Sequence, residues 1–90
     1  MRFEWDEDKA AANLSKHGVS FNEGATVLGD PLGWTYPDLE HSTSEKRWIT
    51  VGMSERQRIL VVAHTEEAEM MRIISARQAT RKERKFYEEK

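Results

Sequence analysis

The densest gathering of chemically capable side chains lies between Arg72 and Lys85, where six basic residues meet a single acid, Glu83. Arg72 interrupts the apolar run Met70-Met71-Arg72-Ile73-Ile74, and Arg77 follows just beyond it, in what reads as the loop before a helix. A guanidinium offers a rigid fork of donors matched to phosphate oxygens, so two of them at a sheet edge suit a scissile phosphodiester and its developing negative charge. The competing reading is an ion pair with one of the many N-terminal carboxylates. Arg81 and Lys82 open the last predicted helix, where positive charge faces the positive end of the dipole. A bound anion relieves that conflict, and Arg84 and Lys85 carry the patch one turn further. A solvated face offset by Glu83, Glu88 and Glu89 is the alternative. Phe86 reads as a core residue, and Tyr87 either stacks on a base or anchors the helix.

Proton-transfer groups are scarcer. His64 sits near the end of the most apolar segment, and a period of two places it on one face with Arg58, Leu60 and Val62. Beside guanidinium groups its imidazole would be held neutral, as a base; a half-buried histidine bonded to a neighbour is the plainer reading. Lys16 and His17 end a helix, where cations suit the dipole, although a lysine there could also polarise a phosphate. Glu45 precedes Lys46 and Arg47, a mixed-charge stretch that usually means surface, yet Glu45 could act as a base or steer an arginine. Trp48 is either a core aromatic or a stacking platform.

Absences remove whole reaction classes. There is no phosphate-cradling glycine loop, dinucleotide fingerprint, HExxH or GxSxG. The chain has no cysteine, and His17, His41 and His64 lack metal-ligand spacing, so no metal or other cofactor is expected. Net charge is −2, but residues 1–45 hold three Lys/Arg against nine Asp/Glu and residues 46–90 hold eleven against seven. A polyanion can use the basic half.

The elements that must position these groups follow from caps and periodicity. Ninety residues, 38% hydrophobic and 33% charged, fit one small folded domain spanning 1–90. No apolar run is long enough to span a bilayer and no secretory leader is visible, so the chain reads as cytoplasmic. Phe3 to Trp5 reads as a short strand. Asp6 is an N-cap and Gly18 a C-cap for a first helix, and Ser20 with Glu23 has capping-box spacing for a second, ended by Asp30-Pro31. Residues 31–46 read as a long loop with an aromatic anchor at Trp34 or Tyr36. Arg47–Met53, Ile59–Thr65 and Met70–Ser75 form an antiparallel meander, and Thr80 with Glu83 starts a final helix. The expected fold is a two-layer α+β domain: a short N-terminal strand, two helices, a three-stranded antiparallel meander and a C-terminal helix, with the helices on one sheet face.

The segments Phe3-Glu4-Trp5-Asp6, Lys16-His17-Gly18-Val19-Ser20-Phe21, Asp30-Pro31, Glu45-Lys46-Arg47-Trp48 and Arg72-Ile73-Ile74-Ser75-Ala76-Arg77, with Glu83-Arg84 and Tyr87, resemble the BrnT family of bacterial toxins. The resemblance runs from Phe3 to Glu88. It implies a RelE-like fold, a metal-independent endoribonuclease and a neutralising BrnA-like antitoxin. It also implies repression of the operon by the complex, with DNA contacted mainly through the antitoxin, and dimerisation within a heterotetramer. Departures at Gly24, where alanine is common, and Leu28, where phenylalanine is frequent, touch packing alone.

Cleaving RNA without a metal requires activation of a 2'-hydroxyl, an acid for the leaving 5'-oxygen and cations around the phosphorane. The catalytic candidates are therefore His64, Arg72, Arg77, Lys16 and Glu45. The RNA-binding candidates are Arg47, Arg58, Arg81, Lys82, Arg84, Lys85 and Tyr87. A non-enzymatic module that binds antitoxin and nucleic acid is the alternative, with a degenerate toxin keeping only its antitoxin interface behind it.

Overall fold

The computed structural model describes residues 2–41 and 45–89, so the Ser42 to Ser44 run of the predicted loop lies outside the described residues. In chain order the elements are β1 (Arg2–Glu4), α1 (Glu7–His17), α2 (Phe21–Val27), β2 (Trp34–Pro37), β3 (Trp48–Met53), β4 (Ile59–Glu67), β5 (Met70–Gln78) and α3 (Arg81–Glu88).

The helix ends obey their capping chemistry. Asp6 accepts from the backbone N–H groups of Asp8 and Lys9, and Gly18 closes α1 in the left-handed region at φ 68°. Ser20 caps α2 by accepting from the Glu23 N–H, but the Glu23 carboxylate does not return to close the box. It turns inward instead, to Arg58 and Ser54. At α3 the box closes in both directions between Thr80 and Glu83.

The strands form one sheet in the order β1-β5-β4-β3-β2. β1 runs parallel to β5, and the other neighbours are antiparallel. The predicted meander therefore gains a strand, β2, inside the segment read as loop. Pro31, Gly33 and Pro37 punctuate that segment and mask a four-residue strand. Pro37 is tolerated because β2 is the sheet edge and Pro37 its last residue. β5 likewise runs three residues beyond its expected end, which places Arg77 in the strand rather than in a loop.

The helices do not share one face. Val19, Phe21 and Val27, carried by α2 and the turn before it, close over Leu60, Val62, Ile73 and Ala76. Tyr87 of α3 packs with Val51 and Val61 on the opposite side, flanked by Ile49, Ile59 and Ala79. The expectation of a single covered face fails because alternation leaves a second apolar set, Ile49, Val51, Ile59 and Val61, that also needs cover. Within the first layer, buried Asn13 pins α1 to β5: it donates to Val19 O (2.9 Å) and Ala76 O (2.7 Å) and accepts from Ala76 N (3.2 Å). Gly24 fits closely there: an added Cβ would stand 3.0 Å from the Ala76 Cβ, so alanine requires the neighbour to give by a few tenths of an ångström.

One irregularity decides where the arginines point. Ile73 pairs with His64 and Ser75 with Ala63, leaving Ile74 as an extra residue in a β-bulge. Arg72, opposite Thr65, and Arg77, opposite Val61, consequently share the α3 side of the sheet although five positions separate them in sequence.

Candidate active site

Arg77 is held from below by α3. Its Nη1 and Nη2 donate to the two Glu83 carboxylate oxygens at 2.8 and 2.9 Å, and Glu83 Oε1 also accepts from Thr80 N at 2.8 Å. The guanidinium and these backbone donors hold the Glu83 carboxyl down at about 2, and the carboxylate in turn raises the Arg77 pKa. Such a fork-to-fork pair fixes the guanidinium plane. Nε makes no hydrogen bond among the described residues, and the side chain remains 39% exposed, so a phosphate oxygen can still reach it.

Beyond Arg77 a groove of about 360 Å³ opens over the α3 side of the sheet, floored by Ile49, Val61 and Ala63 and edged by Asp38, His41 and Arg47. His41 Nδ1 lies 3.0 Å from Asp38 Oδ2, and Asp38 N donates to Arg47 O at 2.9 Å. A carboxylate at Nδ1 favours the tautomer with its proton there and leaves Nε2 free to take one. Ser75 and Ile74, both at the bulge, complete the lining. The groove thus joins a fixed guanidinium, a second arginine and a carboxylate-oriented imidazole.

Arg72 and Glu45 line a separate depression of about 250 Å³ with Glu4, whose Oε1 lies 3.7 Å from Arg72 Nη1. Arg72 and Arg77 are opposite positions four apart on β4, so about 13 Å separates them along the strand. They mark one face and two stations, not a pair closing on one phosphate.

The other selected residues are dispersed. His64 is fully buried under the helical layer, opposite the Arg77 groove, with Nε2 2.8 Å from Thr50 Oγ1, itself 2.8 Å from Thr35 Oγ1. Its ring is held neutral, with a pKa near 4, by burial and not by neighbouring cations. Nδ1 makes no hydrogen bond among the described residues, the Glu66 carboxylate standing 3.9 Å away. Arg58 shares that sheet face but is occupied by the buried Glu23, through Nε to Oε2 at 2.9 Å and Nη2 to Oε1, and it reaches Gly18 O as well. Lys16 is exposed at the end of α1. Arg81, Lys82, Arg84 and Lys85 are exposed along α3. The adjacent aromatics exchange roles: Tyr87 is 8% exposed and donates to Asp30 Oδ2 at 2.6 Å, while Phe86, expected in the core, is 53% exposed. That carboxylate, with burial, lifts the Tyr87 hydroxyl to about 12.

Asp38, His41 and Ser75 were not selected from the sequence. The Asp38-x-x-His41 spacing was the available signal, but it lay in a segment read as loop, with nothing to say which sheet face it would meet. Among the described residues no group of three or more His, Asp and Glu gathers as a metal site would. No helix among them is long and apolar enough to cross a membrane.

A single five-stranded mixed sheet, covered by α1 and α2 on one side and carrying α3 and the Glu83-clamped Arg77 on the other, defines a small α+β protein. The model of one family, the ribonuclease toxin BrnT of type II toxin-antitoxin systems, matches residues 5–83, and the chain belongs to that family. It is similar to the crystal structure of the Brucella abortus ribonuclease toxin BrnT, with 25% identity and a TM-score of 0.69 over 90% of this chain and 99% of that one. No curated protein matches. Membership in a type II system implies an antitoxin partner.

Proposed function

We propose that this chain is a metal-independent endoribonuclease with a RelE-like fold whose working face is the Arg77 groove. The observation that carries the reading is the juxtaposition of a carboxylate-fixed guanidinium with a carboxylate-oriented imidazole over one open sheet face. His41 Nε2 takes the proton of a 2'-hydroxyl; the resulting oxygen attacks the adjacent phosphorus. A 2',3'-cyclic phosphate forms, the bond to the 5'-oxygen breaks, and that oxygen leaves with a proton taken from solvent water, while the proton on His41 returns to solvent. Arg77 and Arg47 stabilise the charge on the phosphorane. The substrate is RNA because DNA lacks the attacking hydroxyl.

Arg72 is a second phosphate contact, its charge opposed by Glu4, Glu45 and Glu67 around the same depression, and Arg81, Lys82, Arg84 and Lys85 attract the strand. Lys16, His64 and Arg58 lie outside this path and serve the fold. A BrnA-like antitoxin neutralises the toxin in the cytoplasm by covering the groove; in a heterotetramer containing a toxin dimer, the antitoxin supplies the operator contacts. Occupation of both Arg77 Nη groups by Glu83 favours one second reading, a module that binds RNA and antitoxin without turnover.

Defined RNA incubated with purified protein in excess EDTA, with and without ribosomes, separates the two. The enzyme reading requires fragments ending in 2',3'-cyclic phosphate, and association without fragments under both conditions refutes it. His41→Gln is expected to cut the cleavage rate by about 100-fold or more at saturating RNA. Unchanged cleavage removes His41 from the reaction.

A further inference from the structure

The phosphate chemistry above leaves unused a ring-lined hollow beside α3. Trp34 and Tyr36 enter it from β2, Val51 floors it from β3, and Lys82, Glu83 and Phe86 close it from α3, enclosing about 450 Å³. Its walls are aromatic: the Trp34 and Phe86 rings pack against each other, centroids 5.1 Å apart and tilted by 57°, and leave their outer faces turned to the hollow and to solvent. Trp34, Tyr36 and Phe86 are each at least 40% exposed. Exposed apolar surface gathered in one concave place marks a binding site.

We propose that this hollow is a stacking subsite for one nucleobase of the RNA, neighbouring the nucleotide whose phosphate Arg77 holds. The inference rests on the ribonuclease reading and adds a base-binding position to it. Glu83 lines the hollow while clamping Arg77, so the ring-lined space and the guanidinium flank a single carboxylate. Tyr36, which lines the hollow, also lies within electrostatic reach of Arg77 and Asp38 in the groove. A strand laid on Arg77 therefore passes the mouth of the hollow. Lys82 at the rim supplies a charge that a phosphate backbone uses and an apolar protein side chain does not. Base stacking on aromatic rings tolerates every base, so the subsite sets the register of the strand at the groove more than its sequence.

The test is an abasic scan. The cleavage position is first mapped on a short RNA, and that nucleotide is blocked with 2'-O-methyl. Oligonucleotides lacking one base at a time are then titrated against the wild-type protein, Trp34→Ala and Phe86→Leu, with folding checked by circular dichroism. Loss of one base next to the cleavage position should weaken wild-type binding by roughly 10-fold. The same loss should have little effect in Phe86→Leu, whose own binding is already weakened. Cleavage of RNA combined with indifference to every abasic position overturns the subsite and leaves the ribonuclease reading standing. An abasic penalty of equal size in wild type and both folded variants places the base elsewhere. Absence of both cleavage and RNA binding in the wild type overturns the two together. Unaltered RNA binding by both variants, with loss of antitoxin binding, assigns the hollow to the antitoxin.

Discussion

Two arginine–glutamate pairs, one on each face of the sheet, show how the same chemistry serves different ends. Arg58 meets Glu23 beneath the α1–α2 layer, where Glu23 is 3% exposed and both carboxylate oxygens are occupied by Arg58 and Ser54. Arg77 meets Glu83 on the opposite face, where both partners remain partly open to solvent beside a groove. Burial converts the first pair into a fastener, because separating it strands a charge in a poorly solvating place. Partial exposure leaves the second available, because a phosphate can approach the fixed guanidinium without dismantling the fold. Residue type alone does not distinguish them.

The contrast is broken most directly at the buried pair. Arg58→Met removes both guanidinium hydrogen bonds from buried Glu23, leaving only the exposed Arg56 as a cation at 3.9 Å, and should cost about 3 kcal/mol, lowering Tm by about 10 °C or more. Thermal denaturation reads this, and the rate per folded molecule should be preserved. A Tm close to that of the wild type would show that the two pairs are energetically alike.

Arg77→Ala should do the reverse, lowering turnover by about 100-fold or more, about 2.7 to 4 kcal/mol of transition-state stabilisation, with a small change in Tm. Single-turnover cleavage at saturating RNA is the measurement. Arg77→Lys retaining full activity would reduce its role to that of a point charge and remove the importance of the fork held by Glu83.

Acid separates the faces by pH window. The unfolded chain protonates a histidine near 6.5, whereas folded His64 takes its proton only near 4. Stability therefore rises with pH between those values and is lost as pH falls through them, by up to about 3 kcal/mol in all. Glu83 on the other face acts lower: its contribution is present above the unfolded value of 4.5 and is lost toward about 2. Denaturant titrations at pH 7, 5.5 and 4.5 should show the His64 loss, and His64→Gln should flatten it. A wild-type profile that is flat above pH 4.5 would rule out this account of the buried ring.

The smallest effect belongs to the outer charges. Arg81→Gln with Lys82→Gln should weaken binding of many RNA sequences by similar factors and lower the slope of log affinity against log salt by roughly 0.7 per lost contact. If the saturated cleavage rate disappears while the salt slope stays constant, the start of α3 belongs to the reacting centre instead.

Local features of the fold were legible in the sequence because they depend on near neighbours. Asp6, Gly18, Ser20 and the Thr80–Glu83 box lie within a few residues of what they cap, and the apolar alternation from Ile59 onward marks its strand. What escaped depends on distant partners. Glu23 reaches Arg58 across 35 positions, and Asn13 reaches Ala76 across 63. The sequence misplaces Phe86, and leaves Tyr87 open between stacking and anchoring, because helix periodicity gives a face, but the face that meets the sheet depends on which side is already filled. Arg77 could be selected as chemistry from its type, whereas His41 needed β2 to bring Asp38 beside the groove. His64 was conspicuous in sequence for the same apolar surroundings that bury it away from Arg77.

The bulge at Ile74 gives β5 an asymmetric tolerance to changes of length. Losing Ile74 would let Ile73 and Ser75 keep their partners His64 and Ala63, so every downstream side chain would retain its side. Gaining one residue there must be absorbed as a wider bulge; if it is paired instead, the strand slips, exchanging Ala76 in the helical layer for the guanidinium of Arg77. In this strand a codon can be deleted more cheaply than one can be added, and an unabsorbed insertion would disarm the working face and unpack the core in the same step.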